Sequence, residues 1–160
     1  MNKISSEEFC RNFVRRENYN LYLLNFFAPR TKRCGIIAMM ALHTELLQIP
    51  QKATDPTMRL IRLQWWRDEI EKLTHNKPHA DSPILDEIKH INLNISKDYL
   101  DVFDNFCRGN AVDINEPLYD LFGKIIQSEK DINRFSKKLF AHDNLPPETK
   151  FRAARLWLSV

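Results

Sequence analysis

Apolar positions recur along this chain at helical spacing, and no stretch sustains the strict alternation of a strand. Ser5 and Glu8 form the S-x-x-E pattern that caps a helix, which predicts one through about Arg16. Asn18 to Phe27, rich in leucine and aromatic residues, predicts a short buried helix ended by Ala28-Pro29. From Thr31 to Ile49 the apolar side chains nearly surround the axis, so this helix is expected at the centre of the molecule. Pro50 is expected to stop it. Asp55-Pro56 restarts the chain, with the acid as N-cap and the proline in the first helical position, and the helix runs to about Thr74.

In that helix Leu63, Trp66, Ile70 and Leu73 follow 3-4-3 spacing and predict the main core stripe. Ile61 and Trp65 form a second stripe. Adjacent side chains point about 100° apart, so the two tryptophans imply either a wide buried face or one ring lining a pocket. The second stripe favours the wide face, packed on at least two neighbours. Residues 74 to 82 read as a polar connector. Ser82-Pro83 restarts a helix to about Ile91, and Ser96 caps another that ends near Gly109. Asn115 to Gln127 and Ser128 to His142 predict two helices or one bent one, and Leu145-Pro-Pro-Glu148 starts the last. The expectation is an all-α fold, a single helical bundle forming one domain over residues 1–160.

The composition fits a globular helical protein: 43% hydrophobic, 28% charged and three glycines. A net charge of +3 makes no case for nucleic acid, while leaving an anionic ligand or membrane surface open. Cys10, Cys34 and Cys107 are far apart with no CxxC, which suggests neither a disulfide framework nor zinc, and a reducing compartment. No apolar run reaches membrane-spanning length. The N-terminal stretch has acids and no hydrophobic signal core, so the expected location is a bacterial-type cytoplasm, with peripheral membrane contact open.

The stretch NYNLYLLNFFAPRTKRCGIIAMMALHTELLQI, followed by RLIRLQWWRDEIEKL, resembles the N-terminal part of the squalene/phytoene synthase family. The similarity runs over residues 17–75 and rests on Tyr22 to Pro29, Ala41 to Leu46 and Ile61 to Arg67. The flavour is that of a bacterial branch related to mitochondrial complex I assembly factors with a phytoene synthase-like domain. The resemblance implies the all-helical isoprenoid-synthase fold. It also implies, for active members, two acidic motifs that hold Mg²⁺ against a diphosphate. The chemistry needs them, because carboxylate-bound Mg²⁺ neutralises the charge of the departing diphosphate. Aligned on the long helix, the first motif falls at Leu47-Gln48-Ile49-Pro50-Gln51, which holds no carboxylate.

Few residues remain for chemistry. Asp98, Asp101 and Asp104 recur every third position, and Asp113 matches a recurrent acid of the family; they are the only metal candidates, and the three aspartates also read as the solvated face of an amphipathic helix. Glu45, with His43 two residues before it, interrupts an apolar helix. It reads as a cavity remnant or as half of an ion pair with Arg59 or Arg62. Arg59 and Arg62 flank Trp66, as a cation–π stack, as ion-pair donors or as a diphosphate remnant. The histidines form no HExxH motif, and His75 and His79 read as solvated. Cys34 and Cys107 read as packed thiols.

Two functions follow. One is a non-catalytic family member, a scaffold or assembly-type protein linked by resemblance to respiratory complex I. It would have no cofactor, and would bind a protein partner or a lipid or isoprenoid ligand in a groove formed by His43, Glu45, Arg59, Arg62, Trp65 and Trp66. The alternative is a Mg²⁺-dependent prenyltransferase that condenses two prenyl diphosphates in squalene or phytoene biosynthesis, with acids between Asp98 and Asp113 replacing the first motif.

Overall fold

Most helix starts in this chain fall on a side chain or proline suited to the task, the exception being the one after Lys32, which makes no side-chain cap bond. In a computed structural model of the chain, residues 4–26, 28, 30–95, 97–114 and 118 are described. They form seven α-helices: α1 (Ser6–Glu17), α2 (Tyr19–Asn25), α3 (Arg33–Leu47), α4 (Ile49–Lys52), α5 (Pro56–Thr74), α6 (Pro83–His90) and α7 (Lys97–Cys107), with a 3-10 turn over Arg30–Lys32. No strand occurs among the described residues. Ser5 caps α1 by accepting from the Glu8 amide at 3.2 Å, and Asn18 caps α2 through Leu21 at 3.2 Å. Asp55 caps α5 through Met58 at 3.0 Å, with Pro56 in the first turn. Each bond satisfies an amide that would otherwise lack an intrahelical partner. Past α7, Gly109 turns the chain at φ 84°, a conformation that glycine adopts without steric cost. Ser96, Pro29 and the helices expected from residue 115 onward lie outside the described residues.

α3 is the centre, as its all-round apolar pattern predicts. Ten of its fifteen residues are buried, from Ile36 to Leu46. α1, α2 and α6 pack around it, and α5 packs on α7 and α4. The buried apolar residues form one cluster that joins Val14, Leu24, Leu63, Trp66, Ile70, Leu85, Ile88 and Phe103 to the α3 core.

Two expectations change. Pro50 does not simply stop the long helix. α3 already ends at Gln48, and Pro50 sits in the first turn of α4, where a missing amide costs nothing. The second stripe of α5 is not buried. Leu63, Trp66 and Ile70 face inward as expected, with Leu73 partly buried against the core, but Ile61 is 55% and Trp65 41% exposed. The adjacent tryptophans therefore divide between core and surface.

Candidate functional site

The exposed ring of Trp65 faces a cleft of about 380 Å³ between α1, the α3–α4 corner, α5 and the start of α6. Its walls include Phe9, Glu45, Lys52, Arg62, Trp65 and Ile84. The corner is made locally. Gln48 ends α3, and its side-chain amide donates to Glu17 at 2.8 Å, tying the corner to the end of α1. α4 then turns the chain back so that the Lys52 ammonium meets the Glu45 carboxylate at 2.7 Å. Arg59 fixes the next loop by donating to the Ala53 carbonyl at 2.8 Å and the Thr54 carbonyl at 3.1 Å.

Of the six groove candidates, the structure brings four together: Glu45, Arg62, Trp65 and Trp66 line the cleft. Arg59 does not join them, because its guanidinium is spent on the loop carbonyls. Nor does His43, which is fully buried on the inner side of α3. Its Nδ1 lies 3.0 Å from the Tyr99 hydroxyl, and the Phe103 ring meets it edge-on at 5.5 Å. Burial pushes the Tyr99 phenol well above its ordinary range, so the hydroxyl stays protonated at neutral pH. The expected partner of Glu45 is also corrected: Lys52, not Arg59 or Arg62, and the pair lies at the cleft wall rather than in the core. Trp66 packs edge-on against Trp65 at 5.0 Å, and the cation–π contacts among the described residues involve Arg15, Arg16 and Arg33 instead of Arg59 or Arg62.

The acids of α7 lie elsewhere. Asp101 and Asp104 are held by Arg67 at 2.6 and 3.1 Å, on the rim of a second cleft between α5 and α7. Arg67 also donates to the Leu100 carbonyl at 3.0 Å. Asp98 and Asp113 are exposed. Among the described residues no three His, Cys, Asp or Glu side chains converge as a metal-binding group.

The donor set where the first acidic motif would fall does not fit a Mg²⁺–diphosphate group. Gln48 directs its NH₂ at Glu17, and neutral amides and alkyl groups complete the segment. The nearest carboxylates are engaged internally. Glu45 is paired with Lys52, and Glu17 is held below the usual carboxylate range by its bond from Arg16 and, more weakly, from Gln48. The thiols do not supply a nucleophile either. Burial, reinforced by the charge of Glu87, pushes Cys10 up to about 12, and burial also raises Cys34 and Cys107. A raised thiol holds its proton at neutral pH and reacts slowly.

Three features went unseen in the sequence. Phe9 and Lys52 complete the cleft although neither belongs to the α5 motif. Glu69 is 4% exposed and accepts from Lys72 at 2.6 Å and from the Ala80 amide at 2.7 Å, so it pins the connector after α5. Its place three residues after Trp66, on the core stripe, was the available signal. Glu87, 2% exposed, accepts from Ser6 at 2.6 Å and joins α6 to the start of α1. His79, expected in solvent, is enclosed: its Nδ1 lies 2.9 Å from the Ala80 carbonyl and its Nε2 3.6 Å from Asp86.

An all-helical bundle with a solvent-open aromatic cleft defines the class. The squalene/phytoene synthase family matches residues 14–127, and the chain belongs to that family. Among curated relatives it is similar to the human protein named NADH dehydrogenase (ubiquinone) complex I, assembly factor 6, at 28% identity over 75 residues, 46% of this chain and 22% of the relative. The Drosophila melanogaster homolog of that factor is 28% identical over 86 residues, 51% of this chain and 26% of the relative. The chain thus spans about a quarter or less of the length of these relatives. No solved structure gives a significant match. No described helix is long and apolar enough to cross a membrane.

Proposed function

We propose that this chain is a non-catalytic member of the squalene/phytoene synthase family that acts as a helical scaffold in the assembly of respiratory complex I. The observation that carries the reading is the state of the α3–α4 corner. Where carboxylates would grip metal-bound diphosphate, the side chains are neutral, and Glu45 and Glu17 are bound to Lys52, Arg16 and Gln48. A corner built this way holds the bundle together and offers no free carboxylate to hold the metal that neutralises a leaving diphosphate. The names carried by its relatives supply the connection with complex I. The role calls for no metal cofactor. We infer a bacterial-type cytoplasmic location, at most at the membrane surface, and a protein or lipid partner in the Trp65 cleft.

Deleting the gene in its own host and following complex I on native gels tests the role. The expected result is loss of the assembled complex, restored by the intact gene. An unchanged level of assembled, active complex I overturns it.

A further inference from the structure

Met58, Ile61 and Trp65 stand at i, i+3 and i+7 on α5, so they share one face, and all three are exposed, at 47%, 55% and 41%. Arg62 lies on the same face between Ile61 and Trp65 and is exposed as well. Among the described residues it makes no ion pair, whereas the other charges of the cleft, Glu45 and Lys52, neutralise each other. The face thus presents an apolar stripe about 10 Å long, one uncompensated cation at its middle, and a concavity walled by Phe9 and Ile84 beside Trp65.

We propose that this face docks an amphipathic helix of a protein partner, whose apolar side chains enter the Trp65 cleft and whose one central carboxylate meets Arg62. This inference rests on the scaffold reading and names the chemistry of its partner. Charge complementarity selects the occupant. A lone cation among apolar groups fits a single carboxylate, because the charge-assisted bond is worth most where the surrounding apolar contacts exclude water. A ridge of residues spaced three and four apart is the surface into which another helix packs. An anionic bilayer fits less well. The part beside Trp65 is a cleft, and exposed Asp55 and Asp68 stand toward the two ends of the stripe, where they repel anionic headgroups.

The test uses the full chain and two fluorescein-labelled helical peptides of about five turns. They are identical, with Leu and Phe along one face, except for a central Glu in one and Lys in the other. Anisotropy titrations are expected to show the Glu peptide binding about tenfold more tightly than the Lys peptide. R62E is expected to reverse that order, and W65A to weaken both by about tenfold or more. Y19A, at an exposed aromatic on α2, is expected to change neither. Circular dichroism melts confirm that each variant is folded. Equal binding of the two peptides, an R62E variant that keeps the original order, or no binding by either peptide overturns the proposal. So does W65-dependent binding to phosphatidylglycerol vesicles without peptide binding, which assigns the face to a membrane, or self-association lost in W65A, which assigns it to a second copy. If the peptides fail while gene deletion still depletes complex I, this inference falls and the scaffold reading stands.

Discussion

Trp65 and Trp66 are neighbours in sequence and belong to different parts of the molecule. Trp66 is 7% exposed and joins the core that α3 organises. Trp65 is 41% exposed and belongs to an outer face with Met58, Ile61 and Arg62. The same division separates His43 from Glu45. His43 is sealed inside against Tyr99 and Phe103, while Glu45 turns to Lys52 at the cleft wall. The inner side matches His43, Glu69 and Glu87 to partners inside the fold and leaves Asn25 Oδ1 and Thr44 Oγ1 without a hydrogen bond among the described residues. The outer side leaves large apolar groups and one cation for something else to cover. An exposed apolar stripe of this kind is the surface that the proposed partner helix would cover.

The sharpest way to break this comparison is to truncate both rings. W66A is expected to lower unfolding stability by about 3–5 kcal/mol, the range for a large aromatic removed from a core, and W65A by about 1 kcal/mol or less, since it loses mainly the edge-on contact with Trp66. Urea titrations followed by circular dichroism measure both. Equal losses would show that the two faces are not distinct.

Removing the Tyr99 hydroxyl probes the inner side's polar matching. Y99F takes a partner from a buried imidazole nitrogen and is expected to cost about 1–3 kcal/mol, with most of that cost absent in the H43L background. A double-mutant cycle reads the coupling, and additivity of the two changes would mean that the 3.0 Å contact contributes nothing.

Glu69 adds a pH signature. Its pKa is depressed, first by the bond from Lys72 and then by the Ala80 amide. A carboxylate with a lowered folded-state pKa stabilises the fold fully above its unfolded value, and loses that contribution as pH falls through the folded one. The melting temperature should therefore drop on acidification through and below the usual carboxylate range. E69Q should drop less steeply, starting from a lower value at neutral pH. Parallel curves would refute the assignment.

The smallest effect is expected at the α5–α7 rim. R67M removes bonds to Asp101 and Asp104, both about half exposed, and should cost about 1 kcal/mol or less, shrinking in high salt.

What the sequence made legible was local. Caps act over three or four residues, so Ser5 and Asp55-Pro56 announced α1 and α5 correctly. The nearly unbroken apolar surface from Ile36 to Leu46 announced the central helix. The misses all concern which partner a side chain meets across space. The stripe of Ile61 and Trp65 has the periodicity of a buried face, but periodicity records alignment, not what covers it. Glu45 found Lys52 because α4 folds the chain back on itself, a corner that Pro50 begins instead of merely ending α3. Arg59 has two loop carbonyls within reach, and bonds to them draw it away from Trp66. Four walls of the candidate site, Glu45, Arg62, Trp65 and Trp66, were legible from helix spacing and the paired tryptophans. Phe9 and Lys52 arrive from other helices and had no local signal.

The central claim is that this family member's α3–α4 corner no longer supports diphosphate chemistry. Incubating the purified full chain with farnesyl or geranylgeranyl diphosphate and Mg²⁺, and measuring released inorganic diphosphate with and without a chelator, tests it most directly. The account predicts release at the protein-free rate in both arms, and chelator-sensitive release above that rate would contradict it.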